Sequence, residues 1–302
     1  MKVLKRILFG LIALILGLLV ILFGSIVVDG FFGQRRLEPI TNLSIPAADG
    51  ATIRAYLAIP EGAGPHPAVI MIHEFYGLRP EIVGKAEALA KEGYVVLAPN
   101  VFRNGTTNWI PSAIYKVITA DTAQIDGDVD AAYQWLAAQP DVQADRIAIM
   151  GFCFGGGTAL RYSLSNNQLA ATAVFYGQTI TDPTKLKALS GPVLGIFGGA
   201  DGSIPLDEVE DLRQGLEEAG IPNEITVYEG QPHAFVQGVE EIAKGGPQQE
   251  AWNQLLAFLK RNLQEGTGAV PTRALTFAEA GRGESSLRYI IRLALSHLLH
   301  HS

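Results

Sequence analysis

The stretch Arg146-Ile147-Ala148-Ile149-Met150-Gly151-Phe152-Cys153-Phe154-Gly155-Gly156-Gly157-Thr158-Ala159-Leu160-Arg161-Tyr162 decides the fold. Its apolar start, residues 146–150, reads as a buried strand. Its end, residues 158–162, reads as a helix. Between them lies a sharp turn flanked by glycines, with a nucleophile at its apex. A Cβ on either flank would clash there, because such a turn holds its apex residue in strained geometry. The helix that follows offers N–H groups and partial positive charge at its start. Both favour a thiolate, and both favour an oxyanion formed after attack.

Cys153 is the only cysteine among 302 residues. A lone cysteine is most often a small buried hydrophobe. The strand–turn–helix context reverses that expectation, and no Gly-x-Ser-x-Gly elsewhere competes for the role. One cysteine also excludes an intrachain disulfide and any paired-cysteine metal site. The net charge of -7 argues against nucleic acid as a partner, which needs a basic footprint.

The chain is 48% hydrophobic, and the excess is concentrated at the N-terminus. Lys2, Lys5 and Arg6 precede an uncharged run over residues 7–28. About 22 residues at 1.5 Å each span a hydrocarbon core of roughly 30 Å. The run is longer than the apolar part of a cleaved signal and lacks a good cleavage site. An uncleaved signal anchor is expected, single-pass, with the lipid bilayer as partner. The basic flank places the N-terminus in the cytoplasm and the rest of the chain outside. Gly10, Gly17 and Gly24 share one helix face and suggest weak self-association, although glycine is common in membrane helices anyway.

Beyond this anchor (1–29), residues 30–39 read as a linker. A globular domain is expected over 40–264. Short apolar strands at 52–59, 67–73, 94–99, 146–150, 171–176, 192–198 and 224–228 alternate with helices at 80–92, 120–139, 206–219 and 248–263. That alternation predicts an α/β domain with a mostly parallel sheet covered on both faces. Residues 265–302 read as a linker and an amphipathic helix at 285–300. That helix either packs on the domain or lies on the bilayer. His297, His300 and His301 near the terminus read as solvated rather than metal-binding.

A nucleophile at such an elbow belongs to the α/β-hydrolase fold, where the chain order is nucleophile, acid, histidine. His233 is the only histidine between Cys153 and the tail, on a loop after the last strand. Asp201 follows the strand before it. Asp207 is its rival, but opens a helix, where an acid serves as cap. The backbone N–H groups of Phe154 and Phe75 are expected to form an oxyanion hole. Glu74 emerges at the same edge, where it would share a proton with the Cys153 thiol or bind loop N–H groups.

These pieces together resemble the dienelactone hydrolase (carboxymethylenebutenolidase) family over about residues 40–263. The resemblance rests on His73-Glu74, Gly151-Phe152-Cys153-Phe154-Gly155-Gly156, Asp201 before Ile204-Pro205, and His233-Ala234-Phe235. It implies an enzyme without metal or organic cofactor that hydrolyses a small ester or lactone. Cys153 would be its nucleophile, His233 its base, Asp201 the orienting acid, and Glu74 the acceptor of the thiol proton. It also implies arginines for a substrate carboxylate. Arg103 falls near one such position, and Gln237 replaces the other. Tyr76 joins them as a candidate substrate contact. A catalytically silent scaffold and an acyltransferase are the rival readings.

Overall fold

The computed structural model describes residues 2–265 and 291–292 of the chain. A long helix, α1 (Lys2–Leu37), leads into an eight-stranded sheet with strand order β1-β2-β4-β3-β5-β6-β7-β8. The strands are β1 (Leu43–Pro46), β2 (Thr52–Ala58), β3 (His66–Ile72), β4 (Val95–Pro99), β5 (Val142–Phe152), β6 (Ala171–Phe175), β7 (Val193–Gly198) and β8 (Asn223–Tyr228). The contacts from β4 through to β8 are all parallel, whereas β2 runs antiparallel to both neighbours.

The central strands are apolar throughout because both faces are covered. In β3, Val69 and Met71 join one core, and Ala68, Ile70 and Ile72 the other. In β5, Ala148 and Met150 alternate with Ile147 and Ile149 in the same way. The first core is closed by α2 (Pro80–Lys91), α7 (Leu206–Ala219) and α9 (Pro247–Leu259). The second is closed by α4 (Thr122–Ala137) and much of α5 (Phe154–Ser163). Three further helices, α3 (Ile110–Thr119), α6 (Pro183–Leu186) and α8 (Val239–Ile242), sit in loops. The parallel crossovers put the ends of β3 to β8 at one edge, where the candidate site residues gather.

Residues 30–39 are not the expected linker. α1 runs unbroken to Leu37, and a 3-10 turn, Glu38–Ile40, follows. Gly30 and Gly33 suggest a break, but tertiary contacts override that weak preference. Leu37 is buried in the first core. The helix is long and apolar enough to cross a membrane: an 18-residue window reaches a mean hydropathy of 3.1, none of it buried. Gly10, Gly17 and Gly24 face open space.

β1 and α3 are further additions. β1 is a short edge strand with a single buried residue, too weak a pattern to read from sequence. The tail helix expected at 285–300 lies outside the described residues except for Ile291 and Arg292. Those two are helical, and Arg292 pairs with Glu208 of α7 at 2.8 Å. His297, His300 and His301 lie outside the described residues.

Candidate active site

Cys153 stands between β5 and α5 with φ 54° and ψ -118°. L-residues rarely adopt a positive φ, so the fold must hold this residue there. Close packing of the backbone does so. A Cβ on Gly151 would lie 2.1 Å from the Gly155 carbonyl oxygen. One on Gly155 would lie 2.3 Å from the carbonyl oxygen of Ile72 in β3. Cys153 N–H donates to Phe175 O at 2.9 Å, which ties the turn to β6. The thiol is buried. Phe154 opens α5, so its N–H belongs to the first turn, which has no intrahelical acceptors.

His233 reaches this turn from the loop after β8. Its Nδ1–H donates to Asp201 Oδ2 at 2.7 Å, with the two side chains 2% and 0% exposed. The carboxylate accepts only, so Nδ1 carries the proton. The buried Cys153 sulfur acts electrostatically on the same ring. Burial disfavours charge on His233. The Cys153 sulfur and Asp201 outweigh that, and its pKa is pushed up to about 10. Asp201 is fixed in turn: its Oδ1 accepts from Ser203 N–H at 2.7 Å and Ile204 N–H at 3.2 Å. Asp207 sits in the first turn of α7, away from this chain of contacts. Sequence order thus brings Cys153, His233 and Asp201 together.

Glu74 follows β3 at the same edge, but its partner is a cation. Arg79 Nη2 donates to Glu74 Oε2 at 2.9 Å. Burial alone would raise the carboxyl pKa. The positive charges of Lys85 and Arg79 more than offset it, so the pKa is lowered. The proton expected to pass between Glu74 and the thiol is therefore opposed by two cations. His73, just before it, is a fully buried connector. Its Nδ1–H donates to Glu74 O at 2.6 Å, and its Nε2 accepts from Val101 N–H at 3.1 Å. Burial drops its pKa to about 4, so it stays neutral. Phe75 is buried beside Tyr76, with ring centroids 4.2 Å apart.

The expected substrate contacts separate. Tyr76 stays at the site edge, its ring beneath the Arg79 guanidinium at 4.2 Å. Gln237 is exposed. Arg103 is occupied. It grips both carboxylate oxygens of Asp128 in α4, at 3.0 and 2.6 Å, and it also pairs with Asp49. It ties β4 to α4 and the loop after β1. Arg103→Ala is accordingly expected to leave KM for a small ester within about twofold. It should lower Tm by several degrees, since the Asp128 side chain, 1% exposed, loses a charged partner worth about 2 kcal/mol. A large rise in KM at unchanged Tm would instead make Arg103 a substrate contact.

Three residues went unread in the sequence. Arg79 is close to Glu74 in the chain, at the N-cap of α2. Lys85 is fully buried in α2, and burial drops its pKa to about 8 against the pull of Glu74. It donates to Val236 O at 3.0 Å and lies 3.9 Å from the Phe152 ring centroid. Tyr176, with φ 41°, donates to the same Val236 oxygen at 3.0 Å, and its ring meets His233 edge-on at 5.2 Å. One carbonyl on the histidine loop thus gathers two buried donors. Lys85 had a signal: it sits on the apolar stripe Ile82, Lys85, Ala86, Leu89.

A model of the dienelactone hydrolase family matches residues 53–263, a span that includes the elbow, Asp201 and His233. The chain belongs to the dienelactone hydrolase family. It is 33% identical over 233 residues to a protein of Escherichia coli O157:H7 provisionally named a carboxymethylenebutenolidase, covering 72% of this chain and 85% of that one. A Yersinia pestis protein of the same provisional name is 32% identical over 245 residues, covering 76% and 89%. A dienelactone hydrolase structure from Klebsiella pneumoniae, itself provisionally assigned, superposes with TM-score 0.65 at 34% identity. It covers 72% of this chain and 96% of that one. The family makes the chain a hydrolase with the α/β-hydrolase fold. Its N-terminal helix precedes the matched span.

Proposed function

We infer that this protein is a thiol-dependent hydrolase of an ester or lactone, held at a membrane by residues 7–28. The observation that carries the reading is the buried series Asp201–His233–Cys153. Asp201 accepts from Nδ1 at 2.7 Å, and the buried Cys153 sulfur acts electrostatically on the same ring. The basic residues Lys2, Lys5 and Arg6 favour a cytoplasmic N-terminus, which leaves the hydrolase domain outside.

The reaction follows from this geometry. The Cys153 thiolate attacks the carbonyl carbon, and the C–S bond forms as the π electrons move to oxygen. The N–H groups of Phe154 and Phe75 receive that oxyanion. Collapse breaks the C–O bond, and the departing alkoxide takes the proton from His233 Nε2. Neutral His233 then removes a proton from water, and the resulting hydroxide adds to the thioester. The second collapse expels the thiolate and restores the ion pair. Asp201 keeps the ring in one tautomer and orientation throughout. Glu74, held ionised by Arg79 and Lys85, adds negative charge near His233 and supports its protonated form.

The pH profile tests this pairing. His233 holds its proton up to about 10. For a water-soluble ester, kcat/KM, which reports the free enzyme, is expected to show no rising limb near the ordinary imidazole value of about 6.5. It should decline on the alkaline side with an apparent pKa near 10, as the proton donor for the leaving group is lost. A profile that climbs through 6.5 would contradict the ion pair and make neutral His233 the base for a thiol.

A further inference from the structure

The apolar run and the hydrolase domain are joined by one rigid piece. α1 continues from that run straight into contact with the domain, without a hinge. Asp29, the first charged residue after the run, is buried against Thr107 and ion-paired with Arg36 at 2.8 Å. Thr106 N–H donates to the Gly33 carbonyl at 3.2 Å, and Arg36 donates to Thr106 O at 3.2 Å. Gln34 donates to Arg103 O. The approach at Gly33 leaves no room for a side chain: a Cβ would lie 2.7 Å from Asn104 O. Trp109 Nε1–H donates to Ser25 Oγ at 3.3 Å.

Apart from the Asp29–Arg36 pair, which lies within α1, these contacts fall on residues 103–109, in the loop between β4 and α3. That loop leaves the sheet at the edge that bears Cys153 and His233. It also grips the segment beside them: Thr107 N–H and Thr106 Oγ1 both donate to Tyr76 O, at 2.9 and 3.0 Å. The catalytic edge is therefore the one nearest the apolar run. Ser25 lies inside the run, one helical turn before Asp29, or about 6 Å along the axis. Trp109 is thereby set at the level where a hydrocarbon core gives way to headgroups. Phe31, 79% exposed, and Phe32, 45% exposed, crown the next turn. Aromatic side chains favour that layer.

Charge at the site points the same way. Arg103, a candidate contact for a substrate carboxylate, is bound by Asp128 and Asp49, and residue 237 is an uncharged Gln. Arg79 is balanced by Glu74. A carboxylate on the substrate would meet no cation at these positions, whereas a neutral one loses nothing.

We propose that the docked helix holds the catalytic edge against the bilayer, and that the substrate is an uncharged, lipophilic ester or lactone taken from the membrane's interfacial layer. This rests on the reading of residues 7–28 as a span and of Cys153 as nucleophile. The neutral, membrane-dissolved substrate is the added element. The helix acts as a spacer of fixed length, and Trp109 with Phe31 and Phe32 sets its depth.

The test uses the full chain reconstituted in dioleoylphosphatidylcholine vesicles, with p-nitrophenyl acetate and p-nitrophenyl octanoate as substrates. The readout is the octanoate-to-acetate ratio of kcat/KM. Gly33→Leu, which unseats the domain while leaving the span whole, is expected to lower that ratio at least tenfold with acetate hydrolysis unchanged. Trp109→Ser, which removes the interfacial ring and its hydrogen bond to Ser25 but leaves the contacts at Gly33, Gln34 and Arg36, is expected to lower it severalfold. Ratios in both variants equal to that of the parent, with protein retained in the vesicles, overturn the proposal alone. Release of the parent by alkaline carbonate overturns the span and the proposal together. Acetate hydrolysis that survives Cys153→Ala overturns the nucleophile instead, and is read separately.

Discussion

Cys153→Ala is expected to lose about 10⁴-fold or more in kcat/KM on any ester the protein hydrolyses, with stability nearly unchanged. The size follows from the role: without a nucleophile, only the oxyanion donors and substrate binding remain, and comparable removals in other hydrolases cost that much. The unchanged stability follows from the backbone. Alanine keeps the Cβ, so the strain at φ 54° is neither added nor relieved. Loss of the sulfur leaves a small void and removes its electrostatic effect on His233. His233 keeps Asp201 as partner at 2.7 Å, so its loop stays in place. Steady-state hydrolysis and thermal unfolding of the full chain in detergent check both halves. An alanine variant with even a tenth of the parental rate would remove Cys153 from the reaction. Prior alkylation of the parent with iodoacetamide should give the same loss.

Gly155→Ala is expected to be among the damaging single-methyl additions in the domain. Its new Cβ would stand 2.3 Å from Ile72 O and 2.5 Å from His73 O, both of them backbone atoms. Neither can rotate away. To make room, α5 must withdraw from β3 by about 1 Å, against a close-packed core. The cost falls in the rare class above about 4 kcal/mol. The same withdrawal would displace Phe154 N–H, one of the two proposed oxyanion donors. The variant should therefore be poorly folded, and any folded fraction should hydrolyse slowly. Gly127→Ala is the control. It lies in α4 with nothing within 4 Å of a new Cβ, and should stabilise by about 0.5–1 kcal/mol as alanine favours the helix. Protease resistance of the membrane fraction separates the two. Equal resistance would show that the elbow is looser than these distances require.

Most of the sheet was legible because its strands are short, apolar and punctuated by turn residues. The positions of Cys153, Asp201 and His233 were legible for a related reason. Each follows a strand, and parallel strands deliver their ends to one edge. What sequence could not supply was pairing between side chains distant in the chain. The family resemblance made Arg103 a candidate substrate contact, yet its guanidinium turns to Asp128 and Asp49. Glu74 looked like a partner for the thiol, yet Arg79, five residues on, claims it. The stretch over 30–39 read as a linker. In the fold, the absence of a side chain at Gly33 is what lets α1 close on the loop after β4. Local preference read that glycine as slack, and tertiary packing uses it as a seat.

The thiol being the chain's only one has a practical result. A thiol-specific reagent can mark just one atom in this protein, the sulfur at the elbow. With Cys153 as the proposed nucleophile, bound label per chain would count functional centres directly, so specific activity could be stated per competent molecule rather than per milligram. With the proposed anchor inserted in sealed vesicles, a reagent that does not cross lipid would mark only those copies whose elbow faces the medium. The same sulfur thus reports the sidedness of a preparation, with no engineered cysteine and no background to subtract.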